Sequence, residues 1–115
     1  LSLLRTMADR GDPRPVMLIY AAERWSEVTY REELEQLKER LQLEILYVLE
    51  EATDGVDAEA GFITGELLER RLPKERFTRF FFICGPPPMM DAVHAALLER
   101  GVPEAHVQLE KFKLA

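Results

Sequence analysis

Cys84 is the one cysteine of this 115-residue chain, and it stands in the run Phe80-Phe81-Phe82-Ile83-Cys84-Gly85-Pro86-Pro87-Pro88-Met89-Met90. An apolar run of this length reads as a buried parallel strand. Gly85-Pro86 makes a sharp turn, and Pro87 and Pro88 suit the first turn of a helix, where missing amides matter little. The thiol therefore stands at the carboxyl end of a strand, the edge at which open α/β sheets bind ligands. A free cysteine also packs well as a small apolar residue closing a buried strand. No histidine adjoins Cys84 to act as a base, so the chemistry on offer is positioning rather than nucleophilic attack. Gly85 lets backbone approach a ligand closely, and the following helix aims its positive end at the same edge.

The rest of the chain supplies the elements that must hold this turn in place. Leu3, Leu4 and Met7 form a helical stripe within residues 1–10, which Gly11 can end. Pro13 and Pro15 precede an apolar strand over 16–21. Thr29 with Glu32 has the pattern of a capping box, and Tyr30, Leu34, Leu37 and Leu41 then share one helical face. A second buried strand follows over 43–49, an acidic loop over 50–60, and a short helix from Thr64 to near Pro73. After the strand over 80–84 comes a helix from about Pro87 to Arg100, stopped by Gly101, and a last short strand over 107–109. Strands alternating with helices predict an open parallel sheet in a three-layer α/β/α arrangement.

Composition limits what such a domain can serve. A net charge of −6 leaves no basic face for nucleic acid and no polybasic membrane anchor. No apolar run approaches the roughly 20 residues of a spanning helix, and the amino end does not read as a signal peptide. A single cysteine excludes an internal disulfide and leans toward a cytosolic setting. Two isolated histidines and one cysteine, far apart, give no metal-ligand spacing.

Cys84-Gly85 with Met89 resembles the C-G-x-x-x-M motif of the ferredoxin–NADP reductase superfamily. Tyr30-Arg31-Glu32-Glu33-Leu34 resembles that family's aromatic–basic–Glu–Glu–hydrophobic helix opening, and Tyr47-Val48-Leu49 its third strand, whose end meets the adenosine ribose. Glu110-Lys111-Phe112 resembles its carboxyl-terminal Glu-x-aromatic signature. The resemblance spans nearly the whole chain and implies a nucleotide-binding domain of ferredoxin reductase type. The family's opening strand and Gly-x-Gly-x-Thr/Ser-Pro turn are not found, nor is its flavin-binding barrel, so the chain reads as a fragment of a longer reductase. That opening strand is central in the family's sheet. Its absence predicts unpaired edges on the strands over 16–21 and 80–84, closed either by direct pairing or by a segment from another chain in a homo-dimer.

The resemblance also implies roles. Cys84 would sit beside nicotinamide C4, with Gly85, Pro86 and Met89 as members of the motif. Glu110 would be an active-site carboxylate and Phe112 the aromatic that stacks on the flavin, although Lys113-Leu114-Ala115 follow where the plant-type branch ends. Leu49-Glu50 stands where NADPH-selective members place Ser-Arg, so Glu50 would repel a 2′-phosphate and favour NADH. Arg24 lies just past the neighbouring strand and could reach such a phosphate, which keeps NADPH open. Phe62 matches an adenine-stacking aromatic but also suits the core.

In the parent enzyme, hydride would pass from nicotinamide C4 to flavin N5. FAD is favoured over FMN, the isolated chain is expected to be inactive, and the setting is cytoplasmic or the cytoplasmic face of a membrane. The electron acceptor is left open among iron–sulfur proteins, haem, ferric chelates and oxygenase components. A second reading is a non-catalytic nucleotide-sensing or subunit-docking module. A third, a receiver-like domain, lacks the aspartates its strand ends would need.

Overall fold

The computed structural model describes residues 2–28, 30–51, 58–60, 65–74 and 79–111. In chain order these form α1 (Ser2–Asp9), β1 (Val16–Ala22), α2 (Arg31–Arg40), β2 (Leu43–Leu49), β3 (Glu59–Ala60), α3 (Gly65–Arg71), β4 (Phe80–Gly85), α4 (Pro87–Glu99) and β5 (Val107–Lys111). The sheet is parallel throughout, in the order β3-β2-β1-β4-β5. Every residue of β1 is buried, as a strand at the centre of such a sheet requires.

Alternation along β1 and β4 divides the core between the two faces. Val16, Leu18 and Tyr20 pack with Leu4 and Met7 of α1 and Leu34 and Leu37 of α2. Met17, Ile19, Phe81 and Ile83 pack with Leu67 and Leu68 of α3 and Met90, Val93 and Leu97 of α4. The period of two in the strands thus meets helices on both faces, giving the expected three layers. Each fully buried Leu, Ile or Phe here stabilises the fold by roughly 1.5–3 kcal/mol. Ion pairs clasp α1 to α2 at the surface: Arg5 to Glu33, and Arg40 Nη2 to Asp9 Oδ1 at 3.0 Å.

The two strands expected to carry unpaired edges pair with each other. Val16 through Tyr20 run in register with Phe80 through Cys84. Direct pairing is therefore the outcome found. The expectation of a dimer through those edges is corrected, because their backbone groups already have partners.

Two local expectations are also corrected. Tyr30 is the residue before α2, makes no side-chain capping bond, and is 42% exposed rather than part of the buried stripe. Thr29 lies outside the described residues. The acidic loop contains β3, whose two residues pair with Val48 and Leu49 of β2. Gly11 and Gly101 end α1 and α4 in positive φ, as read from the sequence.

Candidate functional site

Parallel register lines up one residue from each of four strands. Tyr47 pairs with Tyr20, Tyr20 with Cys84, and Cys84 with Glu110. Residues paired in this way point to the same face, so the row crosses the sheet near its carboxyl edge. Cys84 is 1% exposed, and its Sγ donates to Glu110 Oε2 at 3.5 Å. Burial pushes the thiol up to about 11, so it stays a neutral donor at physiological pH. A protonated thiol held by a carboxylate can place a ligand but cannot attack one.

The turn after Cys84 is shaped by its neighbours. Gly85 has φ +153°, and a Cβ there would lie 2.9 Å from the Ala21 carbonyl oxygen. The close approach that this glycine permits is thus to β1, where the sequence suggested a ligand. Pro86 is the residue before α4, with φ −59° and ψ 140°. Pro87 and Pro88 carry no amide hydrogen, and the amides of Met89 and Met90 both donate to Pro86 O, at 3.0 and 3.1 Å. The amino end of α4 therefore has no free amide for a phosphate, although its dipole remains. Without those donors, this corner suits an uncharged ring better than a phosphate. Met90 is fully buried and Met89 partly so, which makes both chiefly packing residues.

The ends of β1 and β2 form the other half of the edge. Beyond the strands the backbone still pairs, Glu50 N donating to Ala22 O at 3.1 Å and Glu51 N to Glu23 O at 2.9 Å. Glu50 is exposed, and Arg24 Nε meets Glu51 Oε2 at 3.1 Å. Beneath them is an aromatic cluster that the sequence reading did not anticipate. Trp25 stands edge-on to Tyr47 with ring centroids 5.0 Å apart, Tyr20 is 6.0 Å from Tyr47, and the Arg31 guanidinium lies 5.3 Å from the Trp25 centroid. Aligning the starts of the apolar strands points to its Tyr20–Tyr47 pair, since each tyrosine comes four residues after the first of its strand, but not to Trp25 or Arg31.

Cys84, Gly85, Pro86, Met89 and Glu110 thus gather at the ends of β4 and β5, while Arg24 and Glu50 gather at the ends of β1 and β2. Phe62 and Phe112 lie outside the described residues. A cleft of about 250 Å³, lined in part by Arg10, Arg14, Phe80 and His106, opens at the opposite, amino edge and takes no part in this arrangement.

Comparison with known proteins bears on the same edge. Residues 1–95 match the family described as oxidoreductase NAD-binding domain. The chain is 36% identical over 101 residues to NADH-cytochrome b5 reductase 1 of Lodderomyces elongisporus, covering 86% of this chain and 34% of that protein. It is 35% identical over 96 residues to the Candida albicans protein of the same name, covering 82% and 33%. The chain therefore spans about a third of the length of the curated relatives it matches. Among solved structures, the cytochrome b5 reductase domain of Ulva prolifera nitrate reductase superposes with a TM-score of 0.70 at 26% identity, over 96% of this chain and 42% of that one. A flavohemoglobin from Malassezia yamatoensis with bound FAD and heme superposes with a TM-score of 0.71 at 25% identity, over 98% and 28%. With its parallel sheet, its Cys84-Gly85-Pro86 turn and this match over most of its length, the chain belongs to the oxidoreductase NAD-binding domain family.

Proposed function

We propose that this chain is the nucleotide-binding domain of an NADH-dependent flavoprotein reductase, holding the nicotinamide at the ends of β4 and β5 and the adenosine ribose at the ends of β1 and β2. When bound, the nicotinamide supplies a hydride and an FAD held by a separate domain accepts it. The residues of this chain bind and orient. Cys84 offers a neutral thiol, Glu110 fixes the direction of that thiol, and the Gly85-Pro86 turn sets the shape of the corner. The observation that carries the reading is the Cys84–Glu110 contact beside a helix end without free amides. Exposed Glu50 supports NADH over NADPH, because a carboxylate accepts bonds from a free 2′-hydroxyl and repels a 2′-phosphate.

The relatives named as cytochrome b5 reductases support a one-electron haem protein as acceptor. A lone free thiol fits a reducing compartment, and the reading places the domain in the cytosol. The test is a titration with NADH and NADPH followed by amide chemical shifts. Shifts centred on Cys84, Gly85, Glu110 and Glu50, tighter for NADH, are expected. No response at millimolar nucleotide, or shifts confined to the amino-edge cleft, would overturn the reading.

A further inference from the structure

We propose that Glu51 is a specificity-determining residue of the ribose end, and that it works by holding Arg24 away from a 2′-phosphate. The inference rests on the dinucleotide reading above and adds the device by which the site would discriminate. At the joined ends of β1 and β2 the chain places Glu23, Arg24, Glu50 and Glu51, so a single cation stands among three carboxylates. The backbone bond from Glu51 N to Glu23 O at 2.9 Å carries the ladder past both strands and brings Glu51 alongside Arg24. Their side chains then meet, Nε to Oε2, at 3.1 Å.

The pair is more than half exposed on both sides, 58% for Arg24 and 56% for Glu51, so it adds little to the stability of the fold. Its consequence is for ligands. Arginine is the group best shaped to clamp a phosphate, through a planar fork of donors. Here the Nε of that guanidinium is already engaged by a carboxylate at the end of the neighbouring ladder. A 2′-phosphate would have to compete with Glu51 for that cation and also approach Glu50. A 2′-hydroxyl needs neither step, and Glu50 remains available to accept its hydrogen.

The test uses ADP-ribose and 2′-phospho-ADP-ribose as probes, with calorimetric affinities measured for the wild type, Glu51→Gln, Arg24→Gln and the double variant. The readout is the ratio of the two affinities. Glu51→Gln should shift this ratio toward the phosphorylated probe by about three- to tenfold, a size in keeping with a screened, charge-assisted contact. In the Arg24→Gln background the same substitution should leave the ratio unmoved. An unchanged ratio in Glu51→Gln, or an equal gain without Arg24, would overturn the clamp while leaving the dinucleotide site intact. Failure of the wild type to bind either probe would instead remove the dinucleotide reading, and this inference with it.

Discussion

Cys84 and Glu110 are 26 positions apart in the chain yet occupy partner positions in the β4–β5 ladder, with Sγ 3.5 Å from Oε2. The contact joins a buried donor to a carboxylate at the open edge of the sheet, so each fixes the other's orientation. In the flavoprotein reductase proposed for this domain, Cys84→Ser should fold and bind nucleotide but slow flavin reduction by roughly ten- to a hundredfold, about 1.4–2.7 kcal/mol of barrier. Glu110→Gln should slow the same step in the same range. Single-turnover flavin reduction is the measurement, and wild-type rates in both variants would reduce the pair to packing.

The buried thiol also makes a prediction about alkaline stability. Its value rises from the ordinary 9.0 to about 11 on folding, so above pH 9 the unfolded chain releases a proton that the folded chain keeps. Stability from this group is fully present below pH 9 and drains as pH climbs toward 11. The amount at stake is on the order of 2–3 kcal/mol. Denaturant midpoints of the wild type should therefore fall faster than those of Cys84→Ala between these pH values. Parallel curves would mean that the thiol ionises in the folded protein as freely as in the unfolded one.

The sequence was most legible in the longer strands. Val16–Ala22, Leu43–Leu49 and Phe80–Gly85 are predominantly apolar and largely buried, and each begins where it was expected. β3 was invisible because Glu59 and Ala60 carry no strand signal of their own and pair only by lying beside Val48 and Leu49. Cys84 could be placed at a strand end from its neighbours in sequence. Its contact with Glu110, and that of Arg24 with Glu51, depend on strand order and register, which local spacing does not encode. Gly85 was marked as a site where backbone approaches a ligand, whereas the group that comes close is Ala21, on a strand 64 positions upstream.

At the ribose end, Glu50→Arg should move the preference toward NADPH by about tenfold, roughly 1.4 kcal/mol in relative binding. The substitution replaces repulsion of a 2′-phosphate with attraction at an exposed position, where solvent screening limits the gain. Relative kcat/KM for NADPH over NADH in the proposed flavoprotein reductase is the quantity to compare. A wild type that already prefers NADPH strongly would contradict the role given to Glu50 and shift attention to Arg24.

Tyr47 makes the opposite kind of prediction, a gain. Its hydroxyl is buried with no hydrogen-bond partner among the described residues, and burial pushes its ionisation upward. Tyr47→Phe keeps the ring contacts with Tyr20 and Trp25 while removing the unsatisfied group. Stability should hold or rise, by up to about 1 kcal/mol. A loss of that size in thermal or denaturant unfolding would mean that the hydroxyl has a partner in solution.

The pairing of β1 with β4 can be tested at its tightest point. Gly85 closes β4 beside Ala21 of β1, and an added methyl would meet the Ala21 carbonyl oxygen at 2.9 Å and its Cβ at 3.0 Å. The carbonyl belongs to the backbone of the central strand, so it cannot swing aside as a flexible side chain would. The φ of +153° adds a second penalty, since residues with a Cβ rarely adopt it. Gly85→Ala should therefore destabilise by about 2–4 kcal/mol, from backbone strain and overpacking together. Ala21→Gly in the same chain relieves only the Cβ contact and leaves the clash with the carbonyl, so rescue should be partial. The measurement is equilibrium denaturation of the two single variants and the double variant. A Gly85→Ala protein as stable as the wild type would mean that β1 and β4 do not approach this closely, and that the ladder from Val16 to Tyr20 does not hold in solution.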